Sequence, residues 1–303
     1  MTALPPAEIV SAVERALGES TGATPRIAGA ARVSGGCINP SARLRLDDGS
    51  EAFVKWNANA PAGMFEAEAD GLEALRNASG LRIPEVLGFG TEASGPSWLL
   101  LEYLPAGGPG DRFYTRLAEG LARLHRLVDG AFGWGRDNFI GSLPQANGWD
   151  EDWAAFWWER RLEPQLRMAR DRGFLSGDDD SWRRLERGMS AILEDAPADQ
   201  TSMLHGDLWS GNMYPSADGE PVLIDPAVYR GHAEVDLAMT ELFGGFALDF
   251  YDAYAGATSL SPMYDEGRRD LYQLYPLLVH VNLFGGSYEA GVRAALARAL
   301  RLV

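Results

Sequence analysis

The chain has 303 residues, 46% of them apolar, enough to bury a sizeable core as one large domain or two moderate ones. Its formal charge of -16 is spread along the whole sequence, which argues against nucleic acid and anionic lipid as partners and tolerates a cationic substrate. A single cysteine, Cys37, excludes an internal disulfide framework; with no signal-type start and no apolar run of membrane-spanning length, a cytoplasmic protein without a membrane partner is expected.

After Pro5 and Pro6, the residues Ile9, Val13 and Leu17 recur at helical spacing and Gly18 supplies a stop, so a short packing helix opens the chain. From Arg26 to Asn57 the pattern changes to three short strands. One ends near Val33, one carries Leu44 and Leu46, and one runs from Glu51 to Trp56; Asp47-Asp48-Gly49 joins the last two as a hairpin. The turn Ser34-Gly35-Gly36-Cys37 lies between the first two. A helix follows from about Met64 to Ala78, with Phe65, Leu72 and Leu75 on its core side and Gly80 past its end. Strands are expected at Glu85 to Phe89 and Ser97 to Glu102. The Gly- and Pro-rich stretch 103–110 is then a hinge, dividing a small lobe of residues 1–102 from a larger, mainly helical lobe of residues 111–303.

In that second lobe the pattern predicts helices over Arg112 to Val128, Asp150 to Arg172, Asp180 to Asp195 and Ala233 to Phe243, and a last one after Gly291. Trp153, Phe156 and Trp157 form an aromatic stripe that reads as packing. One strand pair is expected among these helices, Met203-Leu204 with Val222-Leu223-Ile224, each strand running directly into charged residues. The fold class is therefore α+β, an antiparallel sheet in the small lobe and helices in the large one.

The chemistry concentrates in His205-Gly206-Asp207-Leu208-Trp209-Ser210-Gly211-Asn212 and in Val222-Leu223-Ile224-Asp225. Phosphoryl transfer needs a carboxylate to orient the attacking hydroxyl and oxygen ligands for magnesium. Asp207 supplies the first, and Asn212, five residues on, a neutral oxygen ligand from the same turn; Asp225 supplies a second metal carboxylate. The Asp-x4-Asn spacing is that of a kinase catalytic loop. Each residue alone could be a turn former or a helix cap; together they specify phosphotransfer. Upstream, Phe53-Val54-Lys55 puts an ammonium inside an apolar strand, where it needs anionic partners or must snorkel to water. ATP phosphates and a carboxylate would serve, and Glu68, on the core side of the following helix, is a better partner than Glu66. Ser34-Gly35-Gly36-Cys37-Ile38-Asn39 stands where a loop covering the nucleotide would stand, although an ordinary hairpin turn explains it equally well.

With these residues the chain resembles the fructosamine-kinase (ketosamine 3-kinase) family, relatives of aminoglycoside and choline kinases with the two-lobed protein-kinase-like fold. The resemblance runs through nearly the whole chain: Gly35-Gly36-Cys37-Ile38-Asn39, Ala52-Phe53-Val54-Lys55, Met64 to Ala69, Gly141-Ser142-Leu143-Pro144-Gln145-Ala146-Asn147, Glu151-Asp152-Trp153, Leu204 to Asn212, Asp225-Pro226-Ala227, Gly231-His232-Ala233-Glu234 and Phe243-Gly244-Gly245-Phe246. It implies ATP- and magnesium-dependent phosphorylation of the 3-hydroxyl of a ketosamine, a glycated amine. Because the 3-phosphate sheds the sugar, the resemblance also implies a repair role. Another small-molecule kinase, of aminoglycosides or choline, is the alternative; a pseudokinase would lack one of the phosphotransfer residues, and none is missing. Carried over, Asp207 looks like the catalytic base and Asn212 and Asp225 like the metal ligands. Lys55 with Glu68 looks like the phosphate-positioning pair, and Gly35, Gly36, Cys37, Glu102 and Leu104 like further nucleotide-binding positions. Trp209 is similar to a substrate-lining tryptophan, and Asp236 to the aspartate that braces the catalytic loop. His280 and Asn282, in His280-Val281-Asn282-Leu283-Phe284-Gly285-Gly286, resemble an element near the sugar, with Leu283 where a second histidine is common. Cys37 either packs under its glycine turn or is exposed enough to join two chains in a redox-dependent homodimer.

Overall fold

The structure is a computed structural model and describes residues 5–21, 25–33, 39–90, 97–177, 179–193, 201–258 and 260–303. Gly35, Gly36 and Cys37, and with them the glycine turn and a disulfide between chains, lie outside the described residues. The chain divides into two compact units. One combines residues up to 113 with 213–226; the other combines 114–212 with 227–303. The segment 213–226, expected in the helical lobe, thus groups with the N-terminal strands.

The first unit is built on a five-stranded antiparallel sheet of β1 (Ile27–Arg32), β2 (Ser41–Leu46), β3 (Glu51–Asn57), β4 (Val86–Gly90) and β5 (Ser97–Glu102), in the order β1-β2-β3-β5-β4. Helix α1 (Ala7–Thr21) runs through Gly18, which was expected to stop it; a glycine inside a helix costs only about 1 kcal/mol. Its Ile9, Val13 and Leu17 pack with Leu44, Val54, Trp56 and Leu100 of the sheet, and each such side chain fully buried contributes roughly 1.5–3 kcal/mol. Because β3 alternates, burying Ala52, Val54 and Trp56 in that cluster leaves Phe53 and Lys55 on the other face, where α2 (Met64–Ser79) lies. Two later strands complete the unit: β9 (Met213–Pro215) and β10 (Pro221–Leu223) form a hairpin. Val222 bridges to Arg82, and the Gly107 N–H donates to the Pro215 carbonyl at 2.8 Å. A Cβ at Gly107 would stand 2.6 Å from the Ser216 carbonyl oxygen, so only glycine allows the expected hinge to lie this close to the hairpin.

The second unit is mainly helical. It holds α3 (Phe113–His125), α4 (Trp153–Phe156), a π-helical turn at Trp157–Leu162, α5 (Glu163–Asp171), α6 (Asp179–Ile192), α7 (Glu234–Leu242), α8 (Leu248–Ala257), α9 (Arg269–Phe284) and α10 (Glu289–Ala299). Short strands stitch it: β6 (Asn138–Ile140) pairs with β7 (Leu143–Gln145), and β8 (Ser202–Leu204) with β11 (Tyr229–Gly231). The expected pairing of Met203-Leu204 with Val222-Ile224 is therefore corrected, since each segment pairs elsewhere. Trp153, Phe156 and Trp157 are buried, as the stripe predicts. Helices α8 and α9 were not expected; α9 is buried on nearly every side from Asp270 to Asn282 and contains Pro276, so it shows neither an amphipathic period nor an unbroken helical pattern. No helix among the described residues is long and apolar enough to cross a membrane.

Candidate active site

In the N-terminal unit the α2 side of β3 delivers the buried Lys55 to two carboxylates. Its Nζ donates to Glu68 Oε1, from α2, and to Asp225 Oδ1, just past β10. Burial alone would lower the Lys55 pKa, but the charges of Asp225 and Glu68 outweigh it and hold the ammonium above its ordinary value. Burial and the neighbouring Asp225 push Glu68 up, against the pull of Lys55. Asp225 sits at φ 55, in the left-handed region that residues other than glycine seldom occupy, and its side chain remains 39% exposed. An exposed carboxylate in a strained backbone at the mouth of a buried ion pair is the kind of outlier that marks a functional position. The expected Lys55 to Glu68 pair is present; the contact of Lys55 with Asp225 was not foreseen.

Of the other positions expected at the nucleotide, Glu102 ends β5 and accepts from Arg82 Nη2 and from the Glu85 N–H, both at 3.3 Å. Leu104 is buried, and its carbonyl accepts from the Tyr214 hydroxyl of β9 at 3.1 Å.

In the helical unit, β8 ends at Leu204 and the chain turns through His205 and Gly206 into Asp207. Gly206 adopts φ 80, and a Cβ there would meet the Ala227 carbonyl oxygen at 2.1 Å, so the turn requires glycine on two counts. The short helical turn Ser210–Asn212 brings Asn212 back over the loop, and its Nδ2 donates to Asp207 O at 2.9 Å and to Asp207 Oδ2 at 3.0 Å. Leu208 anchors the loop in the core. From below, Asp236 of α7 accepts from the backbone N–H groups of His205 at 2.7 Å and Gly206 at 2.9 Å, as the brace expected of it does. Burial would raise the Asp236 pKa, yet the hydrogen bond and charge of His125, the charge of His205 and the Gly206 N–H together hold it below the ordinary carboxylate value. His125 Nε2 lies 3.2 Å from Asp236 Oδ2, and its Nδ1 lies 2.7 Å from the Tyr254 hydroxyl. His125 and Tyr254 were missed in the sequence because neither stands in a motif; each is an ordinary helix residue that only the packing of α3, α7 and α8 brings to the loop.

Trp209 leads from the loop into an aromatic strip. Its ring lies 6.4 Å from Phe243, which lies 4.6 Å from His280. His280 Nδ1 is 2.7 Å from the Pro276 carbonyl, and burial lowers its pKa. The structure thus joins Trp209 and His280 through Phe243. Asn282 is committed elsewhere: it is buried, and its Nδ2 donates to Gln165 O at 2.9 Å and Gln165 Oε1 at 2.8 Å, tying α9 to α5.

A strand lysine paired with a helix glutamate, and an Asp-x4-Asn loop braced by a buried carboxylate, are the parts of a protein-kinase-like phosphotransferase. The fold agrees: an aminoglycoside phosphotransferase crystallised with ADP and hygromycin B, 15% identical, superposes with a TM-score of 0.59 over 96% of this chain and 98% of its own. Within that class the chain belongs to the fructosamine kinase family, whose model matches residues 9–302. A protein of Synechocystis named as a probable ketoamine kinase is 42% identical over 96% of both chains. A chloroplastic protein-ribulosamine 3-kinase of Arabidopsis thaliana is 38% identical over 89% of this chain and 82% of its own. A crystal structure from Haemophilus somnus named as a fructosamine-3-kinase superposes with a TM-score of 0.85 at 30% identity, covering 95% of this chain and 96% of that one. The protein is accordingly an ATP-using phosphotransferase with an alcohol group as acceptor.

Proposed function

We propose that the protein transfers the γ-phosphoryl group of ATP to the 3-hydroxyl of a ketosamine of the fructosamine or ribulosamine type, as a step of deglycation repair. The observation that carries the chemistry is the Asp207 loop, with its backbone held at two N–H groups by Asp236 and Asn212 held on the Asp207 carboxylate. The observation that carries the acceptor is the family, whose relatives are named for ketoamines and ribulosamines.

In this reading Asp207 accepts a hydrogen bond from the 3-hydroxyl and takes its proton as that oxygen bonds to the γ-phosphorus. The bond from the γ-phosphorus to the bridging oxygen breaks, and ADP leaves with that electron pair. Lys55, kept charged by Glu68 and Asp225, offers its ammonium to the phosphates. Asn212 and Asp225 would hold magnesium: an amide oxygen and a carboxylate are the hard donors it takes, the rest coming from phosphate and water. When bound, the ion would neutralise charge on the β- and γ-phosphates. Trp209 and His280 would line the ketosamine pocket, and a reducing, cytoplasmic setting suits a chain with one cysteine.

The test is magnesium-dependent ADP release by the purified, reduced protein with a ribulosamine, a fructosamine, kanamycin or choline, using Asp207→Asn as the blank. Turnover on a ketosamine that disappears in the blank is expected. Turnover on kanamycin or choline alone would keep the phosphotransferase and overturn its acceptor.

A further inference from the structure

The element Gly141 to Asn147 has no part in the proposed chemistry, yet its Leu143, Gln145 and Asn147 are buried in the helical unit. Asn138, Gln145, Asn147 and Arg161 are all at least 94% buried. Their hydrogen bonds run in one line. Arg161 Nη2 donates to Asn147 Oδ1 at 2.8 Å, and Asn147 Nδ2 donates to Asn138 Oδ1 at 2.9 Å. Gln145 Nε2 donates to the same Asn138 oxygen at 2.8 Å and to the Ala227 carbonyl at 3.1 Å, while Asn138 Nδ2 donates to the Val228 carbonyl at 2.8 Å. Tyr275 closes the line by donating its hydroxyl to Gln145 Oε1 at 2.8 Å.

The receiving end of that line is the backbone on which the catalytic loop rests. The Ala227 N–H donates to His205 O at 2.9 Å, Tyr229 pairs with Leu204 in β11 and β8, and the Ala227 carbonyl limits Gly206 to glycine. The position of residues 227–229 therefore sets the position of residues 204–206, and Asp207 follows. At the far end, Arg161 is carried by the π-helical turn, stacked over Tyr229 at 3.9 Å and Phe156 at 4.7 Å, with its Nη1 donating to Ala146 O at 2.6 Å. Turns of this kind are frequent at functional sites.

Stability alone is a weak reason for such a network. Buried polar groups must all be satisfied to break even, and apolar replacements of the same shape are often neutral or better. The buried Arg161 Nε has no hydrogen-bond partner among the described residues, so the network is not complete even on that count. What it adds is a single geometry, and a displacement of about 1 Å in a reacting group can cost about a hundredfold in rate. We infer that Asn138, Gln145, Asn147 and Arg161 form a polar strut that positions the Asp207 loop through the backbone of Ala227 and Val228. None of the four touches the reactants; they are positioning residues, and the inference rests on Asp207 being the base.

Gln145→Met keeps the length of the side chain and removes its three hydrogen bonds. The expected result is a kcat lowered roughly tenfold or more, with the KM values for ATP and ketosamine within about twofold of the parent and a cooperative thermal transition retained. A residue that only supports the core would lower the midpoint and leave kcat at 25 °C alone, so a parental kcat overturns the strut. Should Gln145→Met fail to fold, Tyr275→Phe, which removes one hydroxyl from the same amide, decides: a threefold or greater loss in kcat at constant KM supports the strut, and none overturns it. Asp207→Asn run alongside separates the two readings. Activity lost there but parental in both strut variants rejects the strut alone, whereas activity retained in Asp207→Asn rejects the base and the strut with it.

Discussion

In the N-terminal unit the groups assigned to the nucleotide are held by full charges, with one ammonium between the carboxylates of Glu68 and Asp225; in the helical unit the Asp207 loop is held by hydrogen bonds of its backbone, two of its N–H groups donating to Asp236. The difference follows from what each region has to do. A lysine that is to meet triphosphate must remain charged in a buried setting, and only nearby anions keep it so. A loop that is to present one carboxylate needs its backbone held in one place, and hydrogen bonds to its N–H groups fix that geometry. Charges tune the first region and geometry tunes the second.

Breaking the charged region should have the largest effect. Lys55→Met is expected to lower kcat/KM for ATP by roughly 10²–10³, the cost of removing one preorganised electrostatic contact, and steady-state kinetics at saturating ketosamine would measure it. A loss below about tenfold would mean that Glu68 and Asp225 hold the lysine for the fold. The braced region should give a different signature. Asp236→Asn keeps one acceptor and removes the charge, so a buried N–H is left poorly served at about 1–3 kcal/mol. The expected outcome is a lower denaturation midpoint with a tenfold to hundredfold loss of kcat and little change in KM for ATP; a rise in KM without loss of kcat would contradict the brace.

The smallest effect concerns pH. Burial and the charge of Arg268 hold His232 down to about 3, and its Nδ1 lies 2.8 Å from the Tyr272 hydroxyl. Between that value and the ordinary histidine range near 6.5 the unfolded chain binds a proton that the folded chain refuses, so stability falls as pH falls through this window. Denaturant unfolding at pH 6.5 and pH 5 should differ by about 1–2 kcal/mol on this account. His232→Gln should flatten that slope without touching the Lys55 region; an unchanged slope would assign it to other groups.

Legibility in the sequence follows the range of the interactions. The β2 to β3 hairpin is carried by Asp47-Asp48-Gly49, and α2 by its buried face and by Gly80 immediately past its end, all signals within a few residues. The strand pairings of the helical unit were misread because three-residue strands have no period to read, and their partners are set by packing with residues far along the chain. At the site, Asp207, Asn212, Lys55 and Glu68 stand in motifs whose spacing is chemical. The contact of Lys55 with Asp225 spans 170 positions, and Gln145 and Tyr254 act through neighbours that no local pattern names.

The grouping of residues 213–226 with the N-terminal strands has a consequence for biosynthesis. About a hundred residues of the helical unit are translated between residue 113 and the β9 to β10 hairpin. At ordinary bacterial or eukaryotic elongation rates that is a wait on the order of ten seconds. Throughout it the ribosome displays a sheet whose Arg82 and Gly107 still lack their Val222 and Pro215 partners. The nascent chain thus holds the Lys55 and Glu68 pair for that whole interval before Asp225 exists to join it as the second carboxylate.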